Sequence, residues 1–397
     1  MRIVFVGPFG MRPRGTMAVR ALPLAKALVR RGHRVTMLLP PWQNPEDAGR
    51  TWEEEGVRIE NLKLPRGLPG YFHLRLTAAL VHRTRALRPD VVHLFKPKAY
   101  AGLTHFALAH LPHPPRLVVD SDDWEGRGGW NALASYPAPL RAFFAWQERW
   151  GMRHAEALTV ASRALQTLAW AQGVEAARVH YLPNGIAWPH APRLPAPHPR
   201  PTLLLYTRFF EFDLARLWRI LTAVKAALPD LQLRVVGRGL FGEEARLREM
   251  ARQAGWRIGA EGDLVEEGWL EAAQLPEAFA RADVALYPFD DTLVNRTKCP
   301  VKLLDLLAAG MPVVAESVGE IREMICAGES GRLVPPGDEA AFAEALLALL
   351  RDPEARLRLG RRAAEDVRRR FAWDRLAATA ERAYLTPEIA RNTSAPS

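Results

Sequence analysis

The feature that most constrains the fold is a regular alternation of short apolar runs with longer helical patterns, beginning at the first residue. Short runs rich in valine, isoleucine and leucine are typical of strands buried on both faces of a parallel sheet. Each parallel strand needs a crossover to reach the next, and a helix usually supplies it. In the first half of the chain, strands are predicted at residues 3–6, 34–39, 57–62, 91–94, 117–120, 157–160 and 179–182. The alternation predicts an α/β fold with a doubly wound parallel sheet.

The first crossover helix has signals at both of its ends. Its apolar pattern covers residues 17–31, with Thr16 before it and Gly32 after it. Threonine is a common N-cap residue, and glycine often ends a helix in the left-handed conformation. We therefore expect Thr16 to cap this helix and Gly32 to terminate it.

Prolines interrupt the alternation near the middle of the chain. Seven of them fall between Leu182 and Thr202, and proline cannot continue a helix or a central strand because it lacks an amide proton. Residues 189–201 are therefore predicted to form a semi-rigid linker. Strands are predicted again at residues 203–206, 233–236, 284–287 and 313–315, and helices at 339–350, 353–370 and 373–384. Because 397 residues exceed what one core usually supports, two Rossmann-like domains are predicted, at residues 1–188 and 202–372.

Positive charge is concentrated in the first half of the chain. The formal net charge is +10, and residues 1–195 alone carry 26 lysines and arginines against 14 aspartates and glutamates. Such asymmetry indicates nucleic acid, anionic lipid or an anionic small substrate, or else a plain solvated arginine-rich surface. Nucleic acid is disfavoured because no basic stretch is interleaved with stacking aromatic residues.

Membrane spans and disulfides are not predicted. The sequence has no run of about 18 uncharged apolar residues. Its first seven residues are too short in apolar length for a signal peptide and favour a buried strand. Cys299 and Cys326 are the two cysteines, and they show no metal-ligand spacing. We therefore expect a soluble, cytoplasmic protein with reduced thiols.

Two glycine-rich loops follow predicted strands. The loop at residues 7–15 contains Gly10, Arg14 and Gly15 and leads into a helix, so it is either an anion-binding loop or a plain turn. Residues 237–242 have the literal G-x-G-x-x-G spacing of a dinucleotide-binding loop. That loop follows the second strand after the linker, whereas a dinucleotide loop belongs to the first strand of its domain. We expect Gly237 to lie beside a nucleotide, and a dinucleotide-dependent oxidoreductase stays open as an alternative.

A loop with two lysines leads into a helix at residues 295–310. Lys298 and Lys302 near the helix N-terminus could hold a diphosphate, and Asp305 could accept the two hydroxyls of a ribose. Arg208 lies just beyond a predicted strand, at the edge of the sheet where a phosphate-binding arginine is expected. The alternative is that both lysines are surface residues of an amphipathic helix.

Four carboxylates lie at the carboxyl end of one predicted strand, at Asp120, Asp122, Asp123 and Glu125. Clustered like charge is unfavourable without a purpose, and ligand sites concentrate at the carboxyl ends of strands in α/β sheets. An Asp-x-Asp pair can hold a divalent cation, but the surrounding architecture does not suit that use. We expect Asp122 and Asp123 to bind substrate hydroxyls or to supply a general base, and no metal site is predicted.

Taken together, these segments resemble family 4 of the retaining glycosyltransferases with the GT-B fold, over nearly the whole chain. The resemblance is carried by residues 89–93, 182–186, 235–239, 282–288, 302–315 and 331–338. Residues 182–186, Leu-Pro-Asn-Gly-Ile, are similar to a family signature that closes the N-terminal domain. The resemblance implies two Rossmann-like domains facing across a cleft, and a C-terminal helix at residues 373–390 that packs back on the first domain.

The resemblance also implies roles for individual residues. A nucleotide-diphospho-sugar would bind the second domain and a hydroxyl acceptor the first, with no metal or cofactor. Arg208 and Lys298 are implied as catalytic residues that stabilise the leaving diphosphate, and Asp122 as a catalytic residue on the acceptor side. The implied donor-binding residues are Gly237, Thr297, Lys298, Cys299, Pro300, Val301, Lys302 and Asp305, and the acceptor or phosphate loop contributes Gly10, Arg14, Gly15 and Asp123.

Several positions depart from the family pattern. Two glutamates eight positions apart in the family correspond to Thr297 and Asp305, a lysine to Asp213, and a histidine to Asp122. Whether a protein base activates the acceptor is therefore open, since the phosphate of the donor can receive the proton. A nucleotide-sugar epimerase or hydrolase of the same architecture, and a binding protein without catalysis, are the remaining alternatives.

The segment at residues 67–88 interleaves apolar side chains with arginines and resembles an interfacial helix. Together with the positive charge of the first half, it favours peripheral contact with the inner face of a membrane that carries a lipid-linked acceptor. Ordinary core packing of the same apolar stripe is the alternative.

Overall fold

The computed structural model describes residues 1–12, 15–67, 69–133, 136–186, 188–192 and 198–386. The chain divides into two compact units. The first comprises Met1–Gly185, Thr297–Cys299 and Trp373–Ser397, and the second comprises Ile186–Arg296 and Pro300–Ala372. Much of the predicted linker, at residues 193–197, lies outside the described residues.

The first unit is built on an eight-stranded sheet with the order β3-β4-β2-β1-β5-β6-β7-β8. The strands are β1 (Arg2–Val6), β2 (Arg34–Leu39), β3 (Thr51–Glu54), β4 (Val57–Asn61), β5 (Val91–Phe95), β6 (Arg116–Ser121), β7 (Ala157–Val160) and β8 (Val179–Tyr181). All neighbours pair in parallel except β3 and β4. Strand order reverses beside β1, so the loops after β1 and β5 leave on opposite sides of a switch point, where α/β sheets bind ligands.

Helices cover the sheet of the first unit. They are α1 (Leu22–Arg30), α2 (Pro69–Ala86), α3 (Ala99–Ala109), α4 (Ala138–His154) and α5 (Arg163–Ala171). Short 3₁₀ turns lie at Pro45–Asp47, Trp130–Ala132 and Ala176–Arg178.

The start of the first crossover helix differs from the prediction. Residues Met17–Ala21 form a π-helical turn before α1, and Thr16 has helical dihedral angles with no side-chain capping bond. Its hydroxyl instead donates to Asp122 Oδ2 at 2.9 Å, so the prediction that Thr16 caps the helix is wrong. π-helical turns are frequent at functional sites. Gly32 ends the helix with φ of +89°, as expected.

The second unit is built on a six-stranded parallel sheet with the order β11-β10-β9-β12-β13-β14. The strands are β9 (Thr202–Tyr206), β10 (Gln232–Val236), β11 (Leu264–Gly268), β12 (Val284–Tyr287), β13 (Val313–Glu316) and β14 (Arg332–Val334). The helices are α6 (Leu214–Ala227), α7 (Glu243–Gln253), α8 (Leu275–Ala280), α9 (Leu293–Thr297), α10 (Val301–Ala308), α11 (Ile321–Met324), α12 (Glu339–Arg351) and α13 (Pro353–Arg370). Strand order reverses beside β9, so residues that follow β9, β10 and β12 meet at one switch point.

The last helix, α14 (Trp373–Leu385), belongs to the first unit. Its apolar side chains join the core that contains Ile3 and Phe5 of β1, and it packs on α1. Two ion pairs fasten it there, from Arg30 to Asp374 and from Arg31 to Glu381.

The predicted interfacial helix is α2, and its apolar stripe is shared between the core and the surface. Leu76 and Leu80 are fully buried, whereas Tyr71 and Leu74 are 57% and 72% exposed. Core packing therefore accounts for part of the stripe and leaves its first turns uncovered. Among the described residues, no helix has the length and apolar character needed to cross a bilayer.

Candidate functional site

Two cations lie over one tryptophan ring at the switch point of the second unit. Arg208 follows β9, and its guanidinium carbon lies 5.7 Å from the centre of the Trp269 ring. Lys302, in the first turn of α10, places Nζ 3.4 Å from the ring centre of Tyr206 and 5.6 Å from that of Trp269. Arg208 Nε is buried without a hydrogen-bond partner among the described residues. Two adjacent positive charges and an unsatisfied donor are suited to an anion.

Asp305 follows Lys302 by one turn of α10. Burial raises the pKa of its carboxyl group to about 7, although the charge of Lys302 opposes the shift. The hydroxyl of Tyr206 has its pKa raised by burial and by Asp305. The structure thus brings Arg208, Lys302 and Asp305 together around Tyr206. This is the arrangement expected of a diphosphate site beside a carboxyl group that accepts hydrogen bonds from ribose hydroxyls.

Gly237, directly after β10, can only be glycine. Its φ is +126°, and an added Cβ would lie 1.9 Å from the carbonyl oxygen of Thr207. Its amide donates to Gly268 O at 2.7 Å. The loops that follow β9 and β10 therefore lie in close backbone contact next to Arg208.

Two further amides of the G-x-G-x-x-G loop are already occupied by side chains of α7. Glu244 Oε2 accepts from the amide of Gly239 at 3.0 Å, and Glu243 Oε2 accepts from that of Phe241 at 2.8 Å. A dinucleotide would place its negatively charged pyrophosphate against these amides. Carboxylates in that position count against the oxidoreductase alternative.

Thr297, Lys298 and Cys299 group with the first unit, whereas Pro300, Val301, Lys302 and Asp305 group with the second. Thr297 O accepts from Ser162 Oγ at 2.7 Å. Asn184 donates from its amide to Cys299 Sγ at 3.1 Å and from Nδ2 to Cys299 O at 2.7 Å. Thr297 and Cys299 therefore anchor the backbone of this loop. Pro300 and Val301 lie at the N-terminus of α10.

Asp122 lies at the end of β6 in the first unit, on the predicted acceptor side, and is 8% exposed. Its Oδ2 accepts from Thr16 Oγ1 at 2.9 Å, and its Oδ1 lies 2.9 Å from Lys96 Nζ. Burial raises its pKa to about 6, with a contribution from Asp123, whereas Lys96 opposes the shift. A carboxyl group that titrates near neutral pH can hold or release a proton under working conditions.

Lys96 and Lys98 lie in the same cluster, and the sequence patterns did not predict them as site residues. Lys96 Nζ lies 2.8 Å from Asp123 Oδ2 and 3.4 Å from Glu125 Oε1, and Lys98 Nζ lies 2.8 Å from Glu125 Oε2. The available signal was the Lys-Pro-Lys sequence directly after the predicted strand β5. Both side chains are buried, and Lys96 has a φ of +55°. Left-handed backbone at a residue other than glycine is often found at functional sites.

Asp120, the first of the four clustered carboxylates, belongs to a buried structural network. Arg20 donates to both of its oxygens, at 2.8 and 2.6 Å, and Thr159 Oγ1 donates at 2.6 Å. His93 contacts Thr159 Oγ1 at 3.1 Å and the Tyr384 hydroxyl at 2.8 Å. Burial lowers the pKa of His93 to about 4, so its ring is neutral at pH 7. Asp120 therefore has a structural role, since these buried polar contacts account for its carboxylate.

The first glycine loop is described only in part. Gly10 is buried, and an added Cβ would lie 3.3 Å from the backbone of Pro41. Gly15 is exposed, and an added Cβ would make only ordinary contacts with Val19. Arg14 lies outside the described residues. Within the described ranges, no group of three histidine, cysteine or carboxylate side chains is arranged to hold a metal ion.

Two family models match the chain. The model described as Glycosyl transferase 4-like domain matches residues 15–185, and the model described as Glycosyl transferases group 1 matches residues 200–352. The phosphatidyl-myo-inositol mannosyltransferase of Mycobacterium leprae is 30% identical over 402 residues, which cover 97% of each chain.

Solved structures show the same fold. Sucrose-phosphate synthase from Thermosynechococcus elongatus superposes with a TM-score of 0.73 at 20% identity, covering 97% of this chain and 98% of that one. The Anabaena protein HepE in complex with UDP and glucose superposes with a TM-score of 0.70 at 16% identity, covering 98% and 100%. These likenesses, together with the two parallel sheets, confirm the predicted GT-B architecture of two Rossmann-like domains.

Proposed function

The chain belongs to the group 1 glycosyltransferases and transfers a hexosyl group from a nucleotide sugar, and from that premise we propose a specific site and course for the reaction. Arg208 and Lys302 bind the diphosphate of the donor, and Asp305 accepts hydrogen bonds from the ribose hydroxyls. The acceptor hydroxyl binds beside Asp122. Transfer retains the configuration at the anomeric carbon and uses no metal ion or cofactor.

The pairing of Arg208 with Lys302 over Trp269 carries this proposal. When the bond to the sugar breaks, negative charge develops on the leaving diphosphate. Cations already fixed in position stabilise that charge without reorganising during the reaction. The ring contacts of Lys302 with Tyr206 and Trp269 limit the motion of its ammonium group. Lys298 carries a further positive charge in the loop before α10 and is proposed to act on the same diphosphate.

On the acceptor side, the near-neutral pKa of Asp122 supports a role in moving the proton of the acceptor hydroxyl. Thr16 donates a hydrogen bond to one carboxyl oxygen and Lys96 forms an ion pair with the other, so these two contacts orient the group. Asp122 either takes the proton itself or fixes the hydroxyl while the phosphate of the donor takes it. These two courses predict different pH dependences of turnover.

For the acceptor, we propose a hydroxyl compound that carries an anionic group. The Mycobacterium leprae relative is named for phosphatidyl-myo-inositol, in which a phosphate joins the sugar-like ring to the lipid. The excess positive charge of residues 1–195 is consistent with an acceptor of that charge. A lipid-linked form of the acceptor would bring the enzyme to the inner face of a membrane as a peripheral protein.

Nucleotide binding tests the donor site directly. We expect GDP or UDP to raise the unfolding temperature, since a ligand at 100 times its dissociation constant adds about 2.7 kcal/mol to stability. Lys302→Met should remove most of that shift. Lys225→Met is the matched control, because Lys225 also lies over an aromatic ring of the second unit, that of Trp256 at 5.2 Å. Equal nucleotide shifts in the two variants would place the diphosphate elsewhere.

A further inference from the structure

A cavity of about 490 Å³ in the first unit is lined by three arginines, Arg127, Arg141 and Arg149. We infer that this cavity binds the phosphate group of a phosphate ester. The inference rests on the proposed function only in assigning that ester to the acceptor. A cavity of this size accommodates a sugar or polyol phosphate and exceeds what a bare phosphate ion needs.

The sequence of α4 explains why two of the arginines face the same space. Arg141, Ala145 and Arg149 are spaced four residues apart, so they lie along one face of the helix, and all three line the cavity. The rise of an α-helix separates the two arginine Cα atoms by about 12 Å. Ala145 between them, together with Ala142, leaves the space open. Two long cationic side chains can therefore converge on one ligand from either end.

The third arginine is held by a loop of fixed geometry. Trp124 donates from Nε1 to Arg127 O at 3.0 Å, and the amide of Trp130 donates to Trp124 O at 2.7 Å. Gly126 and Gly129 are required here, because an added Cβ would lie 2.3 Å from the Trp124 ring and 2.0 Å from Trp124 O, respectively. The backbone that presents Arg127 is thus set before any ligand binds.

The charge of these arginines is not compensated within the described residues. All three side chains are exposed. Among the described residues, none of the three guanidinium groups has an ion pair or a side-chain hydrogen bond, and the described lining of the cavity includes no aspartate or glutamate. Arg153, one turn beyond Arg149, differs, because its Nε donates to Gln172 O at 2.7 Å. An anion that enters the cavity is attracted by all three of these positive charges at once. Charge-assisted bonds from several guanidinium groups are the usual means of binding phosphate.

A chain of contacts joins the cavity to the proposed acceptor site. Asn131, which lines the cavity and is 3% exposed, bonds through Oδ1 to Lys98 Nζ. Lys98 and Lys96 share the carboxylate of Glu125, and Lys96 contacts Asp122. A phosphate among the arginines would therefore be held by the same structural cluster that positions Asp122.

Binding to the whole protein tests the inference without sugar transfer. We expect isothermal titration to detect myo-inositol 1-phosphate, and inorganic phosphate more weakly. Arg141→Gln should weaken binding about 10-fold or more, and Arg141→Gln with Arg149→Gln about 100-fold, because each substitution removes a charge-assisted bond. Arg153→Gln is the matched control: it removes one charge from the same helix and should change the dissociation constant less than twofold.

Vesicles distinguish a free ester from a lipid headgroup. If the ligand is a lipid phosphate, phosphatidylinositol vesicles should compete with myo-inositol 1-phosphate and the double variant should lose that competition. If it is a soluble ester, vesicles should not compete. Unchanged phosphate binding in the double variant, or equal losses in Arg153→Gln, would overturn the inference.

The outcome is separable from that of the proposed function. If the double variant retains its thermal shift with GDP or UDP while it loses phosphate binding, the cavity is independent of the donor site. If myo-inositol 1-phosphate is instead displaced by nucleotide and lost in Lys302→Met, the probe was bound at the donor site and the inference fails. If the wild-type protein binds the ester at these arginines and no nucleotide, the proposed function fails and the cavity stands.

Discussion

Burial raises the pKa of two carboxyl groups in this protein, Asp122 to about 6 and Asp305 to about 7, although each lies close to a lysine. Burial disfavours the charged carboxylate, and the lysine offsets only part of that cost. Each group can therefore change its charge under ordinary conditions, and its effect can be read from a pH profile.

We predict that Asp122→Asn changes the pH dependence of turnover. If Asp122 accepts the proton, kcat of the wild-type enzyme should rise with pH through about 6, because only the carboxylate is a base. The variant should lose that rise and most of its activity. If kcat keeps the same rise in the variant, the proton goes to the donor phosphate instead.

A stability measurement controls for damage to the fold in this variant. Burial raises the folded-state pKa of Asp122 above its ordinary value of 3.8. Its contribution to stability is therefore fully present below about 3.8 and is lost as pH rises through about 6. Asp122→Asn should unfold at the wild-type temperature or above it at pH 8. A lower unfolding temperature would mean that lost activity reports misfolding.

We predict that Arg208→Gln lowers kcat by about 100-fold or more with little change in stability. The substitution removes a charge that we propose faces the leaving group, whereas the buried contacts of β9 stay in place. Arg219→Gln is the control, because Arg219 is an exposed arginine of the same unit that pairs with Glu339. Steady-state kinetics with saturating donor would show the difference, and near-normal turnover in Arg208→Gln would remove this arginine from the site.

At the scale of elements, the loop after β10 depends on one glycine. Gly237→Ala should destabilise the second unit by about 3 kcal/mol, because the new Cβ meets a carbonyl oxygen and φ is positive. Gly242→Ala in the same loop also has a positive φ but meets nothing within 4 Å, so it should cost about 1 kcal/mol. Urea unfolding of both variants provides the comparison. Equal losses would show that the close approach to Thr207 relaxes easily.

The central strands could be predicted from sequence because burial on both faces leaves a plain apolar run. The edge strands β3, β11 and β14 were missed. In β3, alternate residues of Thr-Trp-Glu-Glu face solvent, β11 ends in two glutamates and a glycine, and β14 has three residues. Local pattern does not distinguish such segments from loops, and pairing with a neighbouring strand is what orders them.

The candidate site shows the same division. The positions of Arg208, Lys302 and Asp305 near one sheet edge could be predicted because Arg208 follows a strand and the other two lie on the helix of a recognisable loop-helix segment; their roles stay predictions. The link from Thr16 to Asp122 and the pairing of Lys96 and Lys98 with Asp123 and Glu125 could not, since these contacts join residues from different loops. Only the tertiary structure brings them together.

At the scale of the whole molecule, one face of the first unit combines positive charge with uncovered apolar side chains. Between Asn61 and Asp120, the sole carboxylate is Asp90. In α4, Glu148 is the one acidic residue and is fully buried. The helices α2, α3 and α4 pack side by side, and their large exposed apolar residues are Tyr71, Leu74, Phe106, Leu140, Phe143 and Trp146. Aromatic residues among arginines suit the interface of an anionic bilayer.

We predict that the protein sediments with vesicles containing phosphatidylglycerol and not with phosphatidylcholine alone. Each well-placed basic residue contributes about 1 kcal/mol at an anionic surface, and added salt should weaken the association because it screens these charges. Trp146→Ser should reduce binding, because Trp146 on α4 is 39% exposed within the apolar face. Trp170→Ser is the control, since Trp170 is 44% exposed on α5, outside that face. Equal sedimentation with both vesicle types at low salt, or equal effects of the two substitutions, would instead support a soluble acceptor.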